Sequence, residues 1–440
     1  MSPSKISRRL FMLMIPGAAA AAGMAVSIFS LYPGRRRALS LQEARAMPEK
    51  RKKPVTGKQM VSLRRCTSYD PDRVYEAVTR SLADITFKIP AGSRVLLKPN
   101  IIAQNTPEQA ATTHPAVIDA LCRWFSDHGC SVSIGDSSAF YQGGCTRAGL
   151  ETSGMRAVAE KYGARLVPFE TTLLKKITGM AYLDPLYITS EVFENDLVVN
   201  VPKLKVHRLA RVTGAIKNMY GCVVGGTKQI YHTRYQGRPD YKEFWGKPLV
   251  DVYQAVSPGL TVMDAVVGLD RDGPAATGDP RLTGHILASR SGPALDIAAC
   301  RLIGVDPVRV PAVREAVDRG LASEKGLDLA GDLPFPVARY TIPPDEKPKK
   351  GFWKKIDDYA FQQFIVEPRI SRDRCTRCGD CVNQCAAGAI AYNKKGDPVI
   401  DYSRCIYCYC CEEYCAPGAV SLHGSVANHV IRGIRAIKKI

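Results

Sequence analysis

RVLLKPN (94–100), PAVIDALCRWFSDH (115–128), Gly129 and CSVSIGDSS (130–138) are the stretch on which the fold class turns. Arg94–Lys98 is a short, apolar, β-branched run and reads as a strand. In 115–128 the residues Val117, Ile118, Leu121, Trp124 and Phe125 recur at the spacing of one helical face. Gly129 supplies the helix stop, and 130–135 is the next strand. Strand, helix and strand in this order make a βαβ unit.

Downstream the alternation continues. A helix at 153–162 stops at Gly163 and feeds a strand at 165–169; strands are expected at 196–201, 260–264 and 285–288, and a late helix at 293–302 runs up to Gly304. This is the pattern of an α/β fold, a mostly parallel sheet with helices on both faces. Ligands of such sheets bind beyond the carboxyl ends of the strands. Polar residues collect there: Lys98-Pro99-Asn100, Asp136-Ser137-Ser138, Pro202-Lys203-Leu204-Lys205-Val206-His207 and Asp264 each follow or end a strand.

Lys203, Lys205 and His207, with Lys217 and Asn218 in the segment 214–218, would give a positive, glycine-lined pocket suited to carboxylate or phosphate. Lys203, Lys205, His207 and Lys217 are its candidate catalytic groups. The competing reading is a set of exposed loop charges with Lys98 snorkelling at a strand end. His114, just before Pro115, reads as a turn or cap residue. GCVVGGTK (221–228) reverses the final pair of a phosphate-binding P-loop, and no Gly-x-Gly-x-x-Gly follows a strand. No Gly-x-Ser-x-Gly elbow occurs, and Asp270 and Asp272 lack the other ligands of an EF-hand. Nucleotide hydrolysis, dinucleotide binding and serine hydrolysis lose their support.

VLLKPN (95–100), THP (113–115), GDSS (135–138), NVPKLKVH (200–207), TGAIKNMYG (213–221) and GPALDIAACRLIGVDP (292–307) occur in an order that resembles the domain of unknown function 362 family. The resemblance covers roughly residues 60–312 and implies no settled reaction. It does imply frequent fusion to ferredoxin modules, and it matches Lys98, Asn100, Asp136, Lys203, Lys205, His207, Lys217 and Asn218 to the family's polar blocks.

Nine of the fifteen cysteines fall in 375–415. Cys375-x2-Cys378-x2-Cys381-x3-Cys385 recurs as Cys405-x2-Cys408-x2-Cys411-x3-Cys415, with Arg374 repeated as Arg404 and Gly388-Ala389-Ile390 as Gly418-Ala419-Val420. The unit is duplicated. Its spacing is that of a bacterial two-cluster ferredoxin, in which three cysteines wrap one 4Fe-4S cluster and the fourth ligates the other. Cluster I then takes Cys375, Cys378, Cys381 and Cys415; cluster II takes Cys405, Cys408, Cys411 and Cys385. Zinc knuckles or disulfides are the alternatives, and neither explains two four-cysteine runs in register. Ala386 stands where a proline usually follows the fourth cysteine, in the second half the proline is delayed to Pro417, and Cys410 is an additional thiol.

Lys and Arg outnumber Asp and Glu by 61 to 42, but residues 1–65 hold fourteen of the basic residues against only Glu43 and Glu49. The excess therefore lies mostly ahead of the body, and without an aromatic-interleaved basic stripe it does not indicate nucleic acid. SRRLFM (7–12) and the uncharged stretch to Tyr32 resemble a twin-arginine export signal. As a helix, the stretch would reach about 35 Å, enough to cross a bilayer, so signal and membrane anchor both fit. Arg35-Arg36-Arg37 on its far side suits the signal better. Ala44-Arg45-Ala46 offers a cleavage site, unusually far past the apolar run.

The expected organisation is a signal or anchor at 1–46, a basic linker at 47–60, the α/β domain at 61–312, a connector at 313–364, an α+β ferredoxin-like domain with two 4Fe-4S clusters at 365–424, and a basic amphipathic tail at 425–440. An exported, periplasmic or outer-face electron-transfer protein follows, working with a redox partner protein and the twin-arginine export machinery. A small-anion enzyme or binding protein, and an assembly factor for another redox protein, are the other classes.

Overall fold

In the computed structural model the described residues are 57–138, 146–236, 238–271, 273, 278–332, 337–343 and 366–424. The expected signal, most of the basic linker, the later part of the connector and the basic tail lie outside them.

The fold is α/β. Ten strands form one sheet with a parallel centre: β2 (Arg94–Lys98) lies between β7 (Leu197–Asn200) and β3 (Ser131–Asp136), and β4 (Arg165–Pro168) closes that edge beyond β3. On the other side of β7 come β10 (Leu260–Asp270), β11 (Asp279–Ser289), β1 (Gln59–Arg65) and β12 (Leu327–Gly331). The β11 strand runs antiparallel to both neighbours, so the sheet is mixed. The strands β8 (Lys203–His207) and β9 (Arg211–Thr213) leave the main order, β8 lying parallel to β10 and β9 antiparallel to β8. Antiparallel β5 (Leu174–Ile177) and β6 (Leu186–Thr189) form a separate ribbon.

Alternation along the central strands sends side chains to two cores. Val95, Leu97, Val199, Val262 and Ile286 point to a core covered by α1 (Pro71–Asp84), α2 (Pro115–Asp127) and α4 (Met155–Tyr162). Leu96, Val198, Met263 and Leu287 point to the opposite core, under α7 (Gly246–Val256), α8 (Gly292–Leu302) and α9 (Pro311–Asp318). The stripe read from the sequence in 115–128 is buried along its length. Each such Val, Leu or Phe contributes about 1.5–3 kcal/mol by leaving water. Asp70 caps α1 by accepting from Arg73 N at 3.1 Å; His114 caps α2 by accepting from Ala116 N at 3.2 Å, and Gly129 turns the chain out of α2 at φ +70°.

Three expectations are corrected. The α/β body does not end at 312: α9 runs on to Asp318 and β12 adds a strand to the sheet beside β1, so the first part of the connector expected at 313–364 belongs to the body. The strands expected at 260–264 and 285–288 are the inner halves of an eleven-residue hairpin pair, with a bulge between Ala265 and Val267. The segment 203–207, read as a polar tail after a strand, is itself a strand because its N–H and C=O groups pair with β10 and β9.

Residues 366–424 form a small α+β module with two antiparallel strand pairs: β13 (Glu367–Ile370) pairs with β16 (Val420–His423), and β14 (Ile390–Tyr392) with β15 (Pro398–Ile400). One-turn helices α10 (Asp380–Asn383) and α11 (Cys410–Glu413) stand at equivalent places in the two halves.

Candidate functional site

The carboxyl edge of the sheet carries a dense set of charged side chains that the fold buries. At the end of β2, Lys98 meets Asp136 from the end of β3 at 2.6 Å, both essentially without exposure. Asp136 also accepts from Ile101 N at 2.7 Å and from Ser137 N at 2.8 Å. Asn218, on the one-turn helix α5 (Ala215–Asn218), accepts from Lys98 Nζ at 3.3 Å and from Asn100 Nδ2 at 2.9 Å, and donates to Asn200 Oδ1 at 2.8 Å. Lys98, Asn100, Asp136 and Asn218 are thus one network. Gly221 makes room for it, since an added Cβ would collide with both the Lys98 and Asp136 side chains.

Lys203 belongs to a second group. Its Nζ lies 2.8 Å from Asp264 and donates to Tyr69 Oη at 2.7 Å; Tyr69 donates to Asp264 at 2.9 Å, and His114 N donates to the same carboxylate at 2.9 Å. Tyr69 stacks on His114 with 3.5 Å between ring centroids. Burial holds the His114 pKa down at about 4, so its ring is neutral. Paired with Asp264 and bonded to Tyr69, Lys203 is a structural cation.

Lys205 and Lys217 differ. Lys205 is buried and donates to the carbonyl of Ala111 at 2.7 Å. Lys217, His207 and His232 keep partial exposure and lie within electrostatic reach of one another. Burial, and then the neighbouring Lys217, lower the Lys205 pKa well below its ordinary value. Burial, then Lys228 and Lys98, bring Lys217 down to about 8. The His207 pKa is pushed well down by burial, and its Nδ1 accepts from Leu209 N and Ala210 N at 3.0 and 3.2 Å, which leaves the ring proton on Nε2. The amides at the start of α5 are not part of this array. Asp296 takes them, accepting from Ala215 N at 2.6 Å and Ile216 N at 3.0 Å, in the space Gly214 leaves.

A third group was missed in the sequence. Glu170 is buried, accepts from Ser137 Oγ at 2.6 Å and Thr146 Oγ1 at 2.9 Å, and its Oε2 has no hydrogen-bond partner. Lys228 donates to Ser137 Oγ at 2.6 Å and to the carbonyls of Ser137 and Ser138 at 2.9 and 2.8 Å. Burial raises the Glu170 pKa and brings that of Lys228 down to about 8. The sequence signals were Ser137-Ser138 at a strand end and Lys228 at the close of GCVVGGTK, where no P-loop exists; nothing pointed to Glu170.

That segment instead seats the cysteine module. Gly226 N donates to Tyr407 O at 2.8 Å and Thr227 Oγ1 to Ile406 O at 2.8 Å, while an added Cβ on Gly225 would stand 2.5 Å from the carbonyl of Cys408. Cys410 is buried at the same seam, its thiol 3.8 Å from the carbonyl of Thr172. Arg147 reaches Glu413 at 2.8 Å.

Two voids lie inside the module. Cys375, Cys378, Cys381 and Cys415 face one. Cys385, Cys405, Cys408 and Cys411 face the other, joined by Cys381 and Cys410. Backbone amides point at the sulfurs, Ala389 N at 3.2 Å from Cys385, Tyr407 N at 3.4 Å from Cys405 and Ala419 N at 3.1 Å from Cys415. Sulfur donors ringed around a void, with N–H groups directed at them, fit an iron-sulfur cluster. Among the described residues no group of three or more His, Cys, Asp or Glu converges as on a single ion.

Fold and site together define an α/β protein with an appended iron-sulfur module. Residues 95–301 match the family model described as Domain of unknown function (DUF362), and residues 367–390, which hold the first cysteine run, match a 4Fe-4S binding domain. The Thylakoid-associated protein sll1697 of Synechocystis sp. is 30% identical over 285 residues, covering 63% of this chain and 83% of that protein. The chain belongs to the DUF362 family. Among solved structures, the lactate racemase apoprotein from Thermoanaerobacterium thermosaccharolyticum is 14% identical with a TM-score of 0.37, over 58% of this chain and 58% of that one, too distant a likeness to support an argument.

Proposed function

We propose that the protein is an exported electron-transfer protein carrying two 4Fe-4S clusters, the second of them seated against the α/β domain. The observation that carries this is the make-up of the two voids. The cysteines walling each include the first three of one run and the last of the other, with Cys381 and Cys410 also reaching the second void: Cys375, Cys378, Cys381 and Cys415 would hold one cluster, and Cys405, Cys408, Cys411 and Cys385 the other. Bound there, the clusters supply one-electron carriage. The chain's own contribution is to set their surroundings: amides aimed at sulfur, Tyr407 and Tyr409 buried beside the second run, and Gly225 and Gly226 letting the module approach the body. Iron analysis and low-temperature EPR of anaerobically isolated, dithionite-reduced protein test it. About eight irons per chain with two interacting signals are expected from two four-iron clusters; zinc, or no iron, overturns the reading.

Export rests on SRRLFM (7–12) and the apolar stretch after it. No helix among the described residues is long and apolar enough to cross a membrane. Arg8→Lys with Arg9→Lys is expected to leave the protein in the cytoplasmic fraction, and undiminished export of that variant would remove this part of the proposal.

A second function, binding a small anion in the α/β domain, is favoured by one observation: Lys205 and Lys217 gather beside His207 and His232, whereas Lys98 and Lys203 are already matched by carboxylates. Lys217 and the His207 Nε2–H are the groups that would meet the ligand, with Lys205 behind them. Since Lys217 loses its proton near pH 8, stabilisation by phosphate or sulfate in a thermal-shift assay is expected at pH 7 and to fade as pH rises through about 8. An undiminished effect in Lys217→Ala would end the assignment.

A further inference from the structure

The two ends of the cysteine module are unlike in charge and exposure. In 371–398, around the first void, Arg372, Arg374, Arg377, Lys394 and Lys395 stand against Asp373, Asp380 and Asp397. In 401–424, around the second, the balance reverses, with Asp401, Glu412 and Glu413 against Arg404. The acidic end meets the body, where Glu413 pairs with Arg147. The basic end faces solvent: Arg372, Arg374, Arg377, Lys394 and Lys395 are all exposed, and so is Cys378, one of the cysteines of the first void.

The turn bearing Lys394 and Lys395 is fixed beside that cysteine. Arg377, between Cys375 and Cys378, pairs with Asp397 at 2.8 Å, and Gly379 leaves the space that the Tyr392 hydroxyl occupies. Tyr392 and Val399, the flanks of the turn, are 49% and 41% exposed and rank among the few large apolar side chains left open to water among the described residues. A basic rim around a small exposed apolar centre, at the end where a cluster's sulfur reaches the surface, has the composition of a protein docking surface.

We infer that the face formed by Arg372, Arg374, Tyr392, Lys394 and Lys395 docks an acidic one-electron carrier protein, and that the cluster held by Cys375, Cys378, Cys381 and Cys415 is where electrons cross between partner and chain. This rests on the two-cluster reading. In the step, the partner's reduced flavin or iron-sulfur group gives up one electron and is oxidised by one, the cluster is reduced by one, and no bond is made or broken. The opposite charge of the other end disfavours docking there, so the exposed cluster is the one that meets the partner.

Flavodoxin, an acidic flavoprotein, serves as the probe with the full-length, iron-loaded chain. Zero-length carbodiimide coupling joins lysine amines to carboxylates in contact, and the links mapped by mass spectrometry are expected at Lys394 and Lys395. In stopped flow, reduction by flavodoxin hydroquinone at low salt is expected to slow roughly tenfold or more in K394E/K395E, and to converge with the parent at high salt, where surface charge is screened. Reduction by the cationic methyl viologen radical is expected to quicken in the same variant. The turn's backbone is held by Asn393 Oδ1, which accepts from Lys395 N and Asp397 N, so the lysine side chains are not needed to form it; R372E/R374E is the second variant.

Links mapping elsewhere, or rates indifferent to these charges in chains with full iron and EPR signal, overturn the inference. Binding to anionic phospholipid vesicles that depends on Lys394 and Lys395, without flavodoxin coupling, overturns it in favour of a membrane. A shortage of iron in the parent chain instead marks failure of the two-cluster reading.

Discussion

Lys98, Lys203, Lys205 and Lys228 are buried at the carboxyl edge of one sheet, each with a different answer to the cost of burying a cation. Lys203 has a carboxylate and a phenol. Removing one member of a buried pair leaves the other charge unmatched, so Lys203→Met is expected to destabilise the α/β domain by about 3–5 kcal/mol in urea unfolding. Lys203→Met with Asp264→Asn should recover most of that, because the amide still accepts from His114 N without carrying charge. Asp296 brings a dependence on pH. Burial raises its pKa from 3.8 to about 7, so its contribution to stability is complete below about 4 and is lost as pH rises through about 7. Asp296→Asn should therefore gain on the parent as pH rises from about 4 to 7 and hold that difference above, read as a shift in urea midpoint. The sequence exposed the cations of this site by their position after strands, but not their partners. Tyr69 and Asp264 reach Lys203 across 134 and 61 residues, a convergence that only the order of strands creates.

Between elements, the seam rests on two glycines. At Gly226 an added Cβ would lie 2.6 Å from the Tyr409 hydroxyl and 2.9 Å from the Tyr407 carbonyl, so valine there cannot coexist with the docked module. Gly226→Val is expected to leave unfolding of the α/β domain nearly unchanged while making the cysteine module, residues 366–424, more readily digested in limited proteolysis; an unchanged digestion pattern would show that the seam tolerates the side chain. Elements with a local cause were legible: β2, α2 and β3 carry their periodicity and caps within a few residues. The outer half of the β10–β11 hairpin was not. Gly268, Asp270, Asp279 and Pro280 look like loop residues, and they are held extended by pairing across strands and by Asp270 binding Arg281 at 2.7 Å. The seat at 225–227 was legible only as a motif that failed, because its function depends on a module some 180 residues away.

At the scale of the molecule, the crossed cysteine walls make a prediction that sequence proximity would get wrong. Cys415→Ala, in the second run, is expected to abolish the signal of the exposed cluster and spare much of the one at the seam; loss of the seam cluster alone would show that each run serves its own cluster. The seam also sets an order in time. Arg147, Thr172, Gly225, Gly226 and Thr227, the body's side of it, all precede the module in the chain. At about 5–20 residues per second, the body can close before the second cysteine run has left the ribosome. Docking and cluster delivery then follow one another within seconds, and a chain that docks without iron leaves Cys405, Cys408 and Cys411 only partly exposed beside its own finished surface. Iron and sulfide supplied to refolding chains should load both sites, whereas supplied to folded, iron-free protein they should load the exposed site first and the seam site slowly.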